Sequence, residues 1–161
     1  IKAALTGHLV LSTLHTDDAQ SSINRLMNMG IEPFLVATSV NLIVAQRLIR
    51  RICQKCKQQE DVPVQALLNI GFSEAEAPNL ELFKGRGCDE CNQRGYKGRI
   101  GIYEVMVVSE DVRELILSGA SAVELRRKAI EEGMIGLRQS GLQKIRDGVT
   151  TIEEVVRESV L

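Results

Sequence analysis

Arg51-Ile52-Cys53-Gln54-Lys55-Cys56 contains the first of two closely spaced cysteine pairs in the middle of this 161-residue chain, and Cys88-Asp89-Glu90-Cys91 contains the second. Two thiolates spaced two residues apart can hold one metal ion from a tight turn, and two such turns supply a closed tetrahedral shell. Gly95 and Gly98 suit a turn whose N–H groups point at sulfur. The spacing therefore predicts a structural zinc site, with rubredoxin-like iron, free cysteines or disulfides as alternatives.

A basic run surrounds the first cysteine pair and contains no acidic residue: Arg47, Arg50, Arg51, Lys55 and Lys57. Four thiolates on a divalent ion carry net negative charge, so nearby cations would offset it. A phosphate-binding patch is the alternative interpretation. The whole chain has a net charge of -1, three Phe, two Tyr and no Trp. We therefore expect no nucleic-acid partner.

The pattern of apolar, polar and glycine residues changes at about residue 51 and again at about residue 99. Residues 51–98 form the predicted zinc subdomain, with loops and one short helix over Val64–Ile70. Residues 99–161 are predicted to contain one strand followed by an all-helical C-terminal tail. The strand is expected over Ile100–Val108, and the helices over Glu110–Leu117, Ala122–Glu132, Leu137–Arg146 and Ile152–Glu158. Ser121 with Glu124, and Thr151 with Glu154, have the spacing of capping boxes.

Residues 1–50 have an α/β pattern. The apolar run His8–Leu14 predicts a strand buried on both faces. A helix to Met29 is expected next, capped by Thr16 or Asp17, and then a buried helix from Pro33 to Ala45. That apolar helix is too short to cross a membrane. One strand makes an incomplete sheet, so we expect the other strands upstream of residue 1, in a longer protein.

Both histidines of the chain flank the predicted strand. Ligands of α/β sheets bind beyond the carboxyl ends of the strands, where Thr13, His15 and Thr16 are expected to lie. His15 could there contact a phosphate or a reacting water, whereas His8 fits a structural role. A hydrogen-bonded or interface histidine is the alternative for His15. The 161 residues contain no G-x-x-x-x-G-K-[ST] phosphate loop.

Several segments resemble the type II secretion and type IV pilus assembly ATPases, and the resemblance covers nearly the whole chain. They are Ala4-Leu5-Thr6-Gly7-His8-Leu9-Val10-Leu11-Ser12-Thr13-Leu14-His15-Thr16, Arg25-Leu26, Met29-Gly30-Ile31-Glu32-Pro33-Phe34, Ala45-Gln46-Arg47-Leu48, the cysteine pairs, Gly95-Tyr96-Lys97-Gly98-Arg99-Ile100-Gly101-Ile102-Tyr103-Glu104 and Leu137-Arg138-Gln139-Ser140-Gly141. The segment 4–16 resembles the His box of this family, which is named for its two histidines. Retraction motors of the family share the His box but lack the four cysteines, so the chain is more similar to the assembly branch. Ser39-Val40-Asn41-Leu42-Ile43 and the closing segment resemble the pilus extension motors most.

The resemblance implies the C-terminal part of a RecA-like ATPase core, from a cytoplasmic hexamer that acts on an inner-membrane platform protein. ATP and Mg²⁺ would be bound mainly by residues upstream of this chain, so the chain alone is expected to be inactive. Carried over by position, His8 and His15 form the His-box pair and Thr13 is a sensor-type group. Arg99 is a candidate nucleotide or intersubunit contact. A non-enzymatic, zinc-stabilised interaction module is the alternative.

Overall fold

The computed structural model describes residues 1–159, so the last two residues of the predicted C-terminal segment lie outside the described part. The chain divides into two compact units. The first combines Ile1–Ala45 with Tyr103–Gly136, and the second combines Gln46–Ile102 with the chain from Leu137 onward. Each unit therefore draws on two separate stretches of sequence.

The described residues form an α/β arrangement of helices with two small sheets, which confirms the predicted class and the incomplete sheet. The helices are α1 (Lys2–Leu5), α2 (Ala19–Asn28), α3 (Pro33–Ser39), α4 (Val64–Ile70), α5 (Glu110–Leu117), α6 (Ala122–Glu131), α7 (Leu137–Arg146) and α8 (Ile152–Glu158). The strands are β1 (Leu42–Ile52), β2 (Lys57–Glu60), β3 (Leu82–Gly85) and β4 (Tyr96–Val107). β1 pairs with β4, and β2 pairs antiparallel with β3. None of the described helices has the length and apolar character needed to cross a membrane.

Helix packing builds the first unit. α3 packs on α5, and both α2 and α5 pack on α6. Ile23, Val36, Val112, Ile116 and Leu125 are buried where these helices meet. The capping box of α6 is confirmed, because the Ser121 hydroxyl accepts the Glu124 N–H while the Glu124 carboxylate accepts the Ser121 N–H.

In the second unit, α7 and α8 pack closely on each other. A Cβ at Gly141 would lie 2.5 Å from Val155 Cγ1, so glycine is what permits this close approach. Ile49, Leu142 and Ile145 are buried in the same unit. The core is aliphatic because the chain has no Trp and few other aromatic residues.

The prediction of a buried strand over His8–Leu14 is wrong for the described residues. This segment is extended without regular secondary structure and is exposed throughout, with Leu9 90% and Leu11 88% exposed. A strand buried on both faces needs neighbouring strands and a layer over each face. No strand among residues 1–159 pairs with this segment, so its apolar side chains stay in solvent.

The helix predicted from Pro33 to Ala45 is too long. α3 ends at Ser39, and Leu42–Ala45 already belongs to β1. Along β1, exposed and less exposed residues alternate, which is the two-residue period of a strand. The predicted cap of α2 is also displaced, because Asp18, rather than Thr16 or Asp17, accepts the Ser21 N–H at 2.9 Å.

Predictions around the cysteine segment and after residue 109 are largely confirmed. α4, α5, α7 and α8 have the predicted bounds, and α6 ends one residue earlier than expected. The predicted strand over Ile100–Val108 corresponds to β4, which begins earlier, at Tyr96, and ends one residue earlier, at Val107. The pairing of β2 with β3 was not predicted from the sequence.

A buried carboxylate joins β1 to α8 in the second unit. Glu154 is 0% exposed and accepts the backbone N–H of Arg50 at 2.8 Å and its Nε at 2.9 Å. The Arg50 guanidinium also lies over the Tyr96 ring, 4.2 Å from its centroid. Thr151 caps α8, but Glu154 is engaged with Arg50, so the structure shows the Thr151 half of the predicted capping box.

The pKa of Glu154 reflects two opposing effects. Burial raises it, but the hydrogen bonds from Arg50 and the positive charges of Arg50 and Arg157 outweigh burial, so the pKa lies below its usual value. A carboxyl group with a lowered folded-state pKa stabilises the fold above its unfolded-state pKa, and this contribution is lost as the pH falls through the folded-state pKa.

We expect Glu154→Ala to lower the free energy of unfolding by about 2–4 kcal/mol at pH 7, because it removes a fully buried carboxylate that accepts a backbone N–H and pairs with the half-buried Arg50. The matched control is Glu153→Ala, since Glu153 is exposed and adjacent. Urea unfolding followed by circular dichroism measures both variants. The difference between wild type and Glu154→Ala should shrink as the pH falls below 4.5, the ordinary carboxyl pKa. Equal losses in the two variants would contradict this role of Glu154.

Candidate functional site

The two sheet strands β2 and β3 bring the cysteine pairs together. Cys53 and Cys56 lie between the end of β1 and the start of β2, and Cys88 follows β3. In the antiparallel pair, Lys57 lies opposite Gly85, so the chain enters β2 and leaves β3 at the same end of the pair. This pairing therefore places both cysteine pairs at one point, although 31 residues lie between Cys56 and Cys88.

The four sulfur atoms lie within 4.8 Å of one another. Neighbouring sulfurs are 3.9 Å apart for Cys53 and Cys88, 3.9 Å for Cys56 and Cys91, and 3.7 Å for Cys88 and Cys91. A tetrahedral zinc site with Zn–S bonds of about 2.3 Å has sulfurs about 3.8 Å apart. All four cysteines are free, so disulfides are not part of this structure. The donor set and its spacing therefore fit one tetrahedral metal ion.

Backbone N–H groups point at these sulfurs, as they do where thiolates carry negative charge. Cys91 Sγ accepts the N–H groups of Cys88 at 3.3 Å and Gly95 at 3.2 Å, and Cys56 Sγ accepts that of Gly87 at 3.3 Å. The expected role of Gly95 is thus confirmed. The bond from Gly87 was not predicted, and no such bond is recorded from Gly98 among the described residues.

The local pKa values follow from the same contacts. Burial raises the pKa of the Cys91 thiol, but the two N–H groups outweigh burial and lower the pKa to about 6. Burial raises the pKa of the Cys56 thiol to about 11, against the opposing effect of the Gly87 N–H. Protons and a metal ion compete for such thiolates, so metal affinity falls as the pH falls.

Two glycines allow the two loops to approach. A Cβ on Gly85 would lie 2.0 Å from the carbonyl oxygen of Gly95, and one on Gly95 would lie 2.6 Å from that of Gly85. The same Gly95 carbonyl accepts the Cys53 N–H at 2.9 Å. A side chain at Gly85 or Gly95 would collide with the backbone of the other segment, so the sulfur cluster depends on glycine at both positions.

The predicted basic run is divided among separate partners. Arg50 pairs with Glu154, Lys57 Nζ lies 4.3 Å from the centroid of the Phe83 ring, and Lys55 lies 3.4 Å from Glu90. Lys97 also pairs with Glu90, and both lysines lower the pKa of that carboxyl, the hydrogen bond from Lys97 most strongly. The run therefore does not form one open phosphate patch.

The predicted His-box residues lie on the exposed segment before α2. His8 Nδ1 is 3.0 Å from the Thr6 hydroxyl, and Thr16 Oγ1 is 2.8 Å from Ser22 Oγ. Thr13 and His15 are exposed. Arg99 is exposed on β4. The structure brings the four cysteines together, whereas His8, Thr13, His15 and Arg99 are exposed, so their nucleotide roles stay predictions.

Glu104 is a residue that the sequence analysis quoted without giving it a role. It is fully buried on β4, and its Oε1 accepts the Ala19 N–H at 2.9 Å. The sequence contained a signal for this buried position. Ile102, Glu104 and Met106 share one face of the strand, so the carboxylate lies between two apolar residues on the face that is expected to be buried.

Comparison with known proteins identifies the class. Residues 1–157 match the model of the family described as Type II/IV secretion system protein. A solved structure of the pilus retraction motor PilT with bound ADP is similar in fold, with a TM-score of 0.61 over 98% of this chain and 34% of that chain. At 20% identity, this likeness concerns the fold alone.

The chain belongs to the Type II/IV secretion system protein family, and the relatives that it resembles include type IV pilus assembly ATPases and type II secretion system proteins. It is 55% identical to the type IV pilus assembly ATPase PilB of Myxococcus xanthus, over 97% of this chain and 28% of that protein. It is 45% identical to the type II secretion system protein E of Pseudomonas aeruginosa, over 98% of this chain and 31% of that protein. The chain thus spans less than a third of either relative.

Cys88→Ser removes one of the four expected metal ligands, and a chelator withdraws zinc from the wild type. Either treatment should unfold residues around 50–98, because the remaining sulfurs lose the cation that would hold them together. Hydrogen exchange measures this loss of protection, and elemental analysis measures metal content. α5 and α6 should keep their protection. The matched control is Gln54→Ser, which changes an exposed residue between two ligands.

Full stability of the chelated wild type would show that the four cysteines do not form a structural metal site. A red protein with visible absorbance and one iron per chain would instead establish the rubredoxin-like alternative.

Proposed function

We propose that this chain is the C-terminal part of a hexameric ATPase that powers type IV pilus assembly or type II secretion. The observation that carries the proposal is the family match over residues 1–157, with 55% identity to a pilus assembly ATPase. Identity to pilus assembly relatives reaches 55%, against 45% for protein E of the secretion system, which favours pilus assembly.

In this proposal, residues outside the chain complete the nucleotide site. The 161 residues contain no phosphate loop, and relatives such as the one from Myxococcus xanthus are more than three times as long as the matched region. The exposed apolar segment His8–Leu14 would join a RecA-like sheet supplied by those residues. The chain alone is accordingly expected to bind no nucleotide and to be inactive.

The bound nucleotide with Mg²⁺ would supply the transferable phosphoryl group, and catalysis of such transfer is mostly positioning and electrostatic stabilisation. At the end of the extended segment, the His15 imidazole would donate a hydrogen bond to a phosphate oxygen or orient the attacking water. Thr13 would be a polar sensor of the same group, and His8, bonded to Thr6, would hold the start of the segment. Arg99 is proposed as a nucleotide or intersubunit contact.

Zn²⁺ is the metal ion that we propose for Cys53, Cys56, Cys88 and Cys91. Four thiolates leave no open coordination position, so the ion would stabilise the fold without taking part in hydrolysis. In the second unit it would fasten the end of β1 to the β2–β3 pair. This arrangement would give a motor a rigid element with which to transmit movement.

The proposed partners follow from the family. The protein would assemble as a homo-hexamer in the cytoplasm and act at the periphery of the bacterial inner membrane, on a platform protein of the pilus or secretion machinery. No nucleic-acid partner is proposed, since three cations of the basic run, Arg50, Lys55 and Lys57, have partners within the chain.

A zinc-stabilised interaction module without enzymatic activity is the second candidate. The observation in its favour is that the cysteine cluster is complete within this chain, whereas a phosphate loop is absent from its sequence. A nucleotide pull-down distinguishes the candidates. The ATPase proposal expects the 161-residue chain to fail and the longer polypeptide that contains it to bind.

In that longer polypeptide, we expect His15→Ala to lower kcat for ATP hydrolysis at least about tenfold, the scale of a lost proton-transfer or hydrogen-bonding group at the phosphate. The matched control is Ser12→Ala, which changes an exposed residue of the same segment. A steady-state phosphate-release assay measures both variants. A wild-type rate in His15→Ala would overturn the proposed role of His15.

A further inference from the structure

Glu104 is a buried carboxylate that the proposed metal site and nucleotide contacts leave unexplained. It is 0% exposed, and its neighbours along the core face of β4, Ile102 and Met106, are also fully buried. Placing a carboxylate among such side chains is costly unless its oxygens have hydrogen-bond or charged partners. Its presence therefore indicates a specific task within the first unit.

The partners of Glu104 lie at the start of α2 and on α6. Oε1 accepts the N–H of Ala19, the first residue of α2, at 2.9 Å. Oε2 lies 3.6 Å from Nη1 of Arg126. The first N–H groups of a helix have no partner within the helix, and they attract negative charge. The carboxylate thus binds a helix start that would otherwise bury an unsatisfied donor.

The surroundings leave this pair little freedom. A Cβ at Gly136 would lie 3.4 Å from Glu104 Oε2 and 3.3 Å from Arg126 Nη2, so the chain passes directly over the ion pair. Ala19 itself is 0% exposed. The carboxylate is therefore enclosed, with its position defined by β4, α6 and the start of α2.

The His box ends at Thr16, three residues before the first residue of α2, Ala19. Asp18 caps α2 through Ser21, and Thr16 bonds to Ser22, but both contacts are local in sequence. Glu104 adds a contact from 85 residues away, which fixes the helix start relative to β4. His15 precedes Thr16 directly, so its position on the fold depends on this anchored turn.

We propose that Glu104 is a positioning residue, which anchors the first turn of α2 and thereby sets where His15 stands at the nucleotide. The inference rests on the proposed function, because it assumes that His15 acts on a phosphate. Glu104 itself touches neither substrate nor reacting atoms in this account. Its effect passes through the Ala19 N–H and the short segment between His15 and α2.

The first experiment reads the anchor directly in the 161-residue chain. In wild type, the Ala19 amide should exchange with solvent slowly, unlike an ordinary first helical amide. Glu104→Ala should accelerate its exchange at least about tenfold, since a buried donor loses its acceptor. Glu104→Gln keeps an acceptor oxygen and should retain most of the protection. Glu114→Ala, at an exposed position of the first unit, is the control. Unchanged exchange at Ala19 in Glu104→Ala would overturn the anchor.

The second experiment measures steady-state ATP hydrolysis by the longer polypeptide. Glu104→Ala should lower kcat about tenfold with KM near wild type, assayed well below a melting temperature that the loss of the buried acceptor lowers, and Glu104→Gln should restore most of kcat. If Glu104→Ala reduces the protection of the α5 and α6 amides as much as that of Ala19, Glu104 has a general structural role and the proposal is wrong. The proposal is also wrong if Glu104→Ala has the wild-type kcat while His15→Ala loses most of its kcat. If His15→Ala itself is fully active, the proposed function of His15 fails and positioning by Glu104 fails with it, although the anchor is still read from Ala19.

Discussion

The four clustered cysteines are the constraint on which the second unit depends. As thiolates, sulfur atoms 3.7–3.9 Å apart would repel each other, and a shared divalent cation would convert this repulsion into a cross-link. The stretch between the cysteine pairs buries few large side chains, among them Leu67, Phe72 and Leu82. Its fold therefore needs more than a hydrophobic core, and the close approach of Gly85 to Gly95 shows how tightly the cluster closes the loops.

Local signals predicted much of this architecture. The helices after residue 109 were found because caps and glycines mark their ends, as Ser121 and Glu124 do for α6. The apolar run after Pro33 misled, because periodicity alone does not distinguish a buried helix from a strand in a short apolar segment. Asn41, Leu42 and Ile43 begin the change to β1, where residues alternate in exposure. His8–Leu14 has the composition of a buried strand, but a strand forms only where a partner strand pairs with it.

The candidate site also has a part that the sequence predicted and a part that it did not. The spacing of the cysteines predicted their convergence, since both turns need only local geometry and one pairing of strands to meet. The contacts of Glu104 with Ala19 and of Glu154 with Arg50 join residues 85 and 104 positions apart. No local pattern encodes such a pair, although a carboxylate on the core face of a strand marks where a partner must be sought. The roles proposed for His8, Thr13, His15 and Arg99 come from the family resemblance, and in that proposal they need further residues to complete the nucleotide site.

X-ray absorption at the zinc edge of the purified chain tests the central claim most directly, since it reports the identity and distance of every ligand. The account predicts one zinc ion per chain with four sulfur ligands at about 2.3 Å and no nitrogen or oxygen ligand. A first shell that contains nitrogen or oxygen, or a chain that carries no zinc when purified without chelator, would contradict it.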